Sequence, residues 1–146
     1  MNLSDFIKYQ IVDFTPAEVM DTGASLHDVQ LITMVSMQDF RTHIRRRVHL
    51  LFNGITTGTH KAPWHNDGLA VDGALYTEDG PTNIHYIFKA ALSAGFHGIG
   101  IYYNGEQYSF HLDHRPIFKF WGGWKDKKKG INDWQWVSLL SDPAKN

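Results

Sequence analysis

The most constraining stretch for the fold is Gly98 to Asp113, GIGIYYNGEQYSFHLD. Asn104-Gly105 between two alternating, β-branched and aromatic runs is the strongest short hairpin signal in the chain. It predicts strands over Gly98–Tyr103 and Gln107–Asp113. On the second strand Ser109, His111, Asp113 and Arg115 alternate, so a strand places them on one face. A third strand is predicted over Gly68–Tyr76, with Leu69, Val71, Gly73 and Leu75 on one face and Ala70, Asp72 and Ala74 on the other. Val48–Phe52 is apolar enough for a fourth, followed by a loop marked by Asn53-Gly54 and Thr57-Gly58.

Helical signals dominate the first third. Met1–Phe14 holds scattered apolar residues and reads as a turn-rich lead-in. Thr15-Pro16-Ala17-Glu18 is a capping box with Pro at the first helical position, starting a short helix that Thr22-Gly23 breaks. Ser25–Arg47 is the longest helical candidate, its last turns loaded with Arg41, Arg45, Arg46 and Arg47, where cations suit the dipole. Thr82 can cap a further helix whose Ile84, Ile87, Phe88, Ala91 and Leu92 form a stripe ending at Gly95. Helices first, then strands around one helix, predict an α+β fold: a small antiparallel sheet with helices packed on one side.

Size and composition narrow the function classes. At 146 residues the chain is expected to form one domain, 1–146, with 42% hydrophobic and 20% charged residues, the balance of a globular protein. A net charge of −1 gives no global attraction to nucleic acid or anionic membrane. Without cysteine there is no disulfide framework, Cys-type metal site or thiol nucleophile. The amino terminus lacks the basic and apolar regions of a secretory signal, which points to synthesis in the cytoplasm. No run approaches the ~18 apolar residues that span a membrane, so no membrane insertion is expected.

Chemistry concentrates in His60–Asp72, HKAPWHNDGLAVD. Here His65 and Asp72 frame an H-x-x-G-x-A-x-D string with the small residues Gly68 and Ala70 between them. Imidazole and carboxylate are both zinc ligands, and a catalytic zinc keeps three protein ligands and one open position. His111, on the hairpin strand, is the natural third ligand. Such a Zn2+ acidifies water and polarises a carbonyl. Asp113 can orient an imidazole of the set or accept a proton, and Glu106 near the hairpin turn is the other candidate base.

His65 to Asp72 also resembles the H-x-x-G-x-A-x-D signature of the zinc D-alanyl-D-alanine carboxypeptidase and L-alanyl-D-glutamate endopeptidase family. Gly98-Ile99-Gly100-Ile101-Tyr102 and Phe110-His111-Leu112-Asp113-His114-Arg115 resemble the second half of its small phage and bacterial members. Phe14-Thr15-Pro16-Ala17-Glu18 resembles their opening segment, so the likeness covers about residues 14 to 121. It implies a hedgehog/DD-peptidase fold, zinc on His65, Asp72 and His111, and cleavage of peptidoglycan stem peptides. It also implies an endolysin-like protein that reaches the wall through phage lysis machinery or as part of a virion. Arg115 or Lys61 would then bind a substrate carboxylate. The chain departs from the family pattern at Pro63, where Ser or Thr is usual. Asn53–Thr59 lacks the usual upstream arginine, and Tyr108 and Ser109 stand where an acid or His often precedes the third ligand. The alternative reading is a non-catalytic, zinc-containing virion or wall-binding module on the same fold.

The remaining candidates have plainer expectations. His27, His43, His49, His85 and His97 read as helix-surface or core residues, and His60 and His114 flank the motifs. The arginines near residues 41 to 47 read as a solvated helix end, and Lys125–Lys129 as a solvated loop. Trp121, Trp124, Trp134 and Trp136 read mostly as core or sheet cover, with Trp121 or Trp124 able to line a groove.

Overall fold

The computed structural model describes residues 1–55 and 63–136. Its elements in chain order are α1 (Leu3–Lys8), α2 (Pro16–Asp21), α3 (Leu31–Ile44), β1 (Val48–Leu50) and α4 (Pro63–Asn66). β2 (Ala70–Leu75), α5 (Ile84–Ser93), β3 (Gly98–Tyr103), β4 (Tyr108–Asp113), β5 (Lys119–Asp126) and β6 (Ile131–Trp136) complete them. The fold is α+β, with helices on one side of a six-stranded sheet ordered β1-β2-β4-β3-β5-β6.

The sheet is mixed, which corrects the antiparallel expectation. β3 and β4 form the predicted hairpin, and β2 pairs antiparallel with β4. β5, however, runs parallel to β3, with Gly98 beside Lys119 and Tyr103 beside Trp124. The chain leaves β4 at Asp113, passes the start of β3 through residues 114–118, and re-enters the sheet on β3's other side. The β5 residues, KFWGGWKD, do not alternate, so the sequence marks neither this strand nor its neighbour.

Alternation along the strands divides the sheet into two chemically different faces. Val71, Leu75, Ile99, Ile101, Phe110 and Leu112 are buried in the same core as Met34, Met37, Phe40 and Ile44 of α3 and Ile84, Ile87 and Ala91 of α5. Phe40 meets Phe110 edge-on with ring centroids 5.0 Å apart, the kind of pair that adds about 1 kcal/mol beyond its area. Burying the apolar face against helices leaves the other face, with Asp72, Ser109 and His111, open to carry polar chemistry.

Three local expectations change. The lead-in contains α1, held by a capping box between Asn2 and Asp5, with Phe6 in the core. The predicted Ser25–Arg47 helix divides into a 3-10 turn over Leu26–Asp28 and α3, because the Gln30 amide donates instead to Gly68 O at 3.1 Å. At the far end Arg45 turns left-handed, and the arginines are not simply solvated. Arg46 donates to the carbonyls of Asp79, Gly80 and Pro81, and Arg47 pairs with Asp79 at 2.9 Å, fastening the Thr77–Asp79 turn. The α2 capping box forms as predicted, whereas Asn83 rather than Thr82 caps α5.

Candidate metal centre

The site is built where α4 hands the chain to β2. Thr33 Oγ1 and the Gln30 amide both donate to Gly68 O, drawing the α4–β2 joint onto the start of α3. Gly68 has φ +68, and a Cβ there would lie 2.0 Å from Asp28 O. Only glycine fits this left-handed close approach. The small residue two positions on, Ala70, is fully buried opposite Asp113. Register then does the rest: Asp72 lies directly across from His111, and His65 comes in from α4 with its side chain 1% exposed.

The three predicted ligands converge. His111 Nδ1 lies 2.8 Å from Asp72 Oδ1 and 3.1 Å from His65 Nε2, and His65 Nε2 lies 3.5 Å from Asp72 Oδ1. Among the described residues they form a cluster able to hold a metal ion. Tetrahedral coordination with metal–ligand distances near 2.0 Å places ligand atoms roughly 3.3 Å apart, so the donor set fits such an ion closely.

Each ring nitrogen facing away from the cluster has its own partner, and that fixes the tautomers. His65 Nδ1 donates to Ile55 O at 3.0 Å, leaving Nε2 as the inward nitrogen. His111 Nε2 donates to Asp113 Oδ2 at 2.8 Å, leaving Nδ1 inward. Such outer partners orient metal-binding imidazoles and raise their basicity. With both rings neutral, two lone pairs and a carboxylate face one another, an arrangement that requires a cation. In the metal-free protein a proton fills that role. Burial opposes the imidazolium, but hydrogen bonds to Asp113 and Asp72 outweigh it and push His111 up to about 9. Burial likewise works against the Asp72 carboxylate, while His111 and His65 hold its pKa below the usual value.

Asp113 is fully buried and saturated. Its Oδ1 accepts from the Arg115 amide at 3.0 Å and Nε at 2.8 Å, and its Oδ2 from Arg115 Nη2 at 2.5 Å and His111. Despite burial, Arg115 and His111 hold this carboxyl well below the usual carboxylate range. A Cβ at Gly98 would collide with both Asp113 and Arg115, so the glycine makes room for the pair. The Arg115 guanidinium also lies 4.8 Å over the Trp121 ring and 5.9 Å over that of Trp64.

Glu106 is not brought to the cluster. It sits at the hairpin turn, exposed and paired with Lys128, and lines a different cavity with Asn104 and Lys125. Lys61 and His60 lie outside the described residues. His114, on the opposite strand face from His111, stacks against Phe96 at 4.7 Å. His27, His43, His49, His85 and His97 are all exposed.

An open cavity of about 360 Å³ lies over the cluster, lined by His65, Asp72 and His111 with Leu51, Tyr102, Ser109, Phe110 and Trp134. Sequence reading missed Tyr102 and Trp134 here. Tyr102 was legible in principle: hairpin register pairs it with Ser109, one strand step from His111. Against the expectation of sheet cover, Trp134 is 41% exposed and Trp136 74%. Trp121 packs beside the cluster, its ring centroid 5.3 Å from that of His111.

No family model matches the chain, and neither the curated proteins nor the solved structures contain a match. What stands is an α+β fold whose sheet carries, on its open face, a His65–Asp72–His111 cluster that could hold a metal ion. No described helix is long and apolar enough to cross a membrane.

Proposed function

We propose that this protein is a zinc peptidase that cuts stem peptides of bacterial peptidoglycan. It would act as a D,D-carboxypeptidase or L-Ala-D-Glu endopeptidase on a hedgehog/DD-peptidase-like scaffold. One observation carries the reading: the ligand positions of H-x-x-G-x-A-x-D and of F-H-L-D-H-R meet within 3.5 Å, with both imidazoles already oriented. Two imidazoles and one carboxylate beneath an open cavity are the donor set of a hydrolytic rather than a closed structural zinc site. When bound, the metal supplies a Lewis acid that polarises a carbonyl and makes water nucleophilic at neutral pH.

The chain's own residues do the positioning. Asp113 fixes the His111 ring instead of taking a proton, since its oxygens already accept four hydrogen bonds. Arg115 neutralises that buried carboxylate while stacked on Trp121; its guanidinium is committed there rather than to a substrate carboxylate. Trp134 and Tyr102 give the cavity an apolar, aromatic side on which a peptide backbone can lie. Acting on the wall, the protein would arrive through phage lysis machinery or as part of a virion.

A second reading, a metal-holding module that binds wall polymer without cutting it, is favoured by the same saturation of Asp113 and by the distant placement of Glu106. Metal analysis and a wall-clearing assay separate the two. The peptidase reading expects about one equivalent of zinc per chain, lost in His111→Ala, and clearing of a peptidoglycan suspension that a chelator abolishes. Stoichiometric zinc without clearing favours the binding module, and a protein that takes up no divalent metal contradicts both.

A further inference from the structure

We infer that Tyr102 is the hydrogen-bond donor to the substrate carbonyl oxygen as that oxygen gains negative charge during attack by water, an assignment that rests on the peptidase reading above. The phenol keeps its proton throughout; it stabilises charge and transfers nothing.

Hydrogen-bond polarity makes Tyr102 a donor to the cavity. Tyr102 lines the same cavity as His65, Asp72 and His111. Trp121 Nε1 donates to Tyr102 Oη at 2.5 Å. An indole N–H can only donate, so the phenol's own proton must point elsewhere. Trp121 meets both Tyr102 and His111 and occupies the space that any side chain at Gly100 would need. The Trp121 bond therefore takes one acceptor site of the Tyr102 oxygen and leaves its proton free for the cavity that it lines. Burial pushes the phenol pKa up, the Trp121 bond opposes this, and the nearby Asp72 charge adds to it, so the group remains a protonated donor at neutral pH.

Tyr102 is also held still. Its ring meets Trp134 edge-on at 5.5 Å, and its strand is paired on both sides, to Ser109 of β4 and Gly123 of β5. A donor fixed before the reaction needs no reorganisation when charge develops, which is what makes such donors effective. Two other polar candidates are engaged elsewhere. Arg115 is committed to Asp113, and Glu106 lies at the hairpin turn with Lys128. Among the described residues lining the cavity, Tyr102 and Ser109 are the hydroxyl donors.

The test compares zinc-loaded wild type, Tyr102→Phe and Ser109→Ala for binding a phosphinate dipeptide analogue, whose tetrahedral anion mimics the developing charge. By calorimetry Tyr102→Phe should lose roughly ten- to hundredfold in affinity, the range for a hydrogen bond to a charged group. Zinc stoichiometry should be unchanged, with only the modest fall in melting temperature that loss of the Trp121 bond brings, and Ser109→Ala should stay within about threefold of wild type on the same scale. Trp121→Phe, which removes the bond that directs the phenol proton, should show a smaller loss and decides the matter if Tyr102→Phe does not fold. Equal affinities, a larger loss in Ser109→Ala, or no binding to wild type overturns the assignment. The peptidase reading fails separately, if wild type releases no stem-peptide fragments while the phosphinate comparison still shows its difference.

Discussion

His111 has two carboxylates as neighbours, one on each ring nitrogen, and that determines how the site responds to pH. In metal-free protein its pKa lies near 9, against an ordinary value of 6.5. A raised folded-state pKa stabilises the fold fully below about 6.5 and loses that contribution as pH rises through about 9. NMR titration of chelator-treated protein should therefore find the His111 ring titrating near 9. Zinc should remove the transition, because the metal takes the proton's place and releases it. An ordinary midpoint near 6.5 would mean that Asp72 and Asp113 do not flank the ring as described. The ligand residues were legible because their types and spacing carry coordination chemistry. The Asp113–Arg115 commitment was not, since alternation places four side chains on one face without saying which of them neutralise one another.

At the scale of elements, the α4–β2 joint makes the site depend on backbone packing. Gly68→Ala would set a Cβ against Asp28 O at a residue with φ +68. It should cost at least about 2 kcal/mol in urea unfolding, adding a backbone clash to the ~1–2 kcal/mol of left-handed strain, and should weaken zinc binding as His65 shifts. Gly95 is the control. It too has positive φ, but nothing lies within 4 Å of its Cβ position, so Gly95→Ala should cost only about 1 kcal/mol and leave zinc affinity unchanged. A Gly68→Ala protein with wild-type stability and metal affinity would contradict this picture of the joint. The hairpin and the capping box at Thr15 were readable because each is a local device with its own residue chemistry. The parallel β3–β5 pairing was not, because strand neighbours are chosen by tertiary packing. The same holds for Trp134 and Trp136, whose alternation places them on a face but does not say whether that face is covered.

On the scale of the whole molecule, one division explains the rest. Helices α3 and α5 take the apolar face of the sheet, and the other face is left to His111, Asp72, Ser109 and an aromatic border. α+β architecture and the helix-covered core follow from patterning, which is why both were legible in the sequence. The His65–Asp72–His111 cluster adds what patterning cannot: inward-facing donors that could hold a metal ion, beneath an open cavity. The central claim is that this cavity hydrolyses wall peptides. Mass spectrometry of soluble products from purified peptidoglycan tests it most directly, with zinc-loaded protein run beside chelator-treated protein and His111→Ala. The account predicts fragments cut at a single type of stem-peptide amide bond, present only with zinc-loaded wild type. No fragments from zinc-loaded wild type, or the same fragments from His111→Ala, would contradict it.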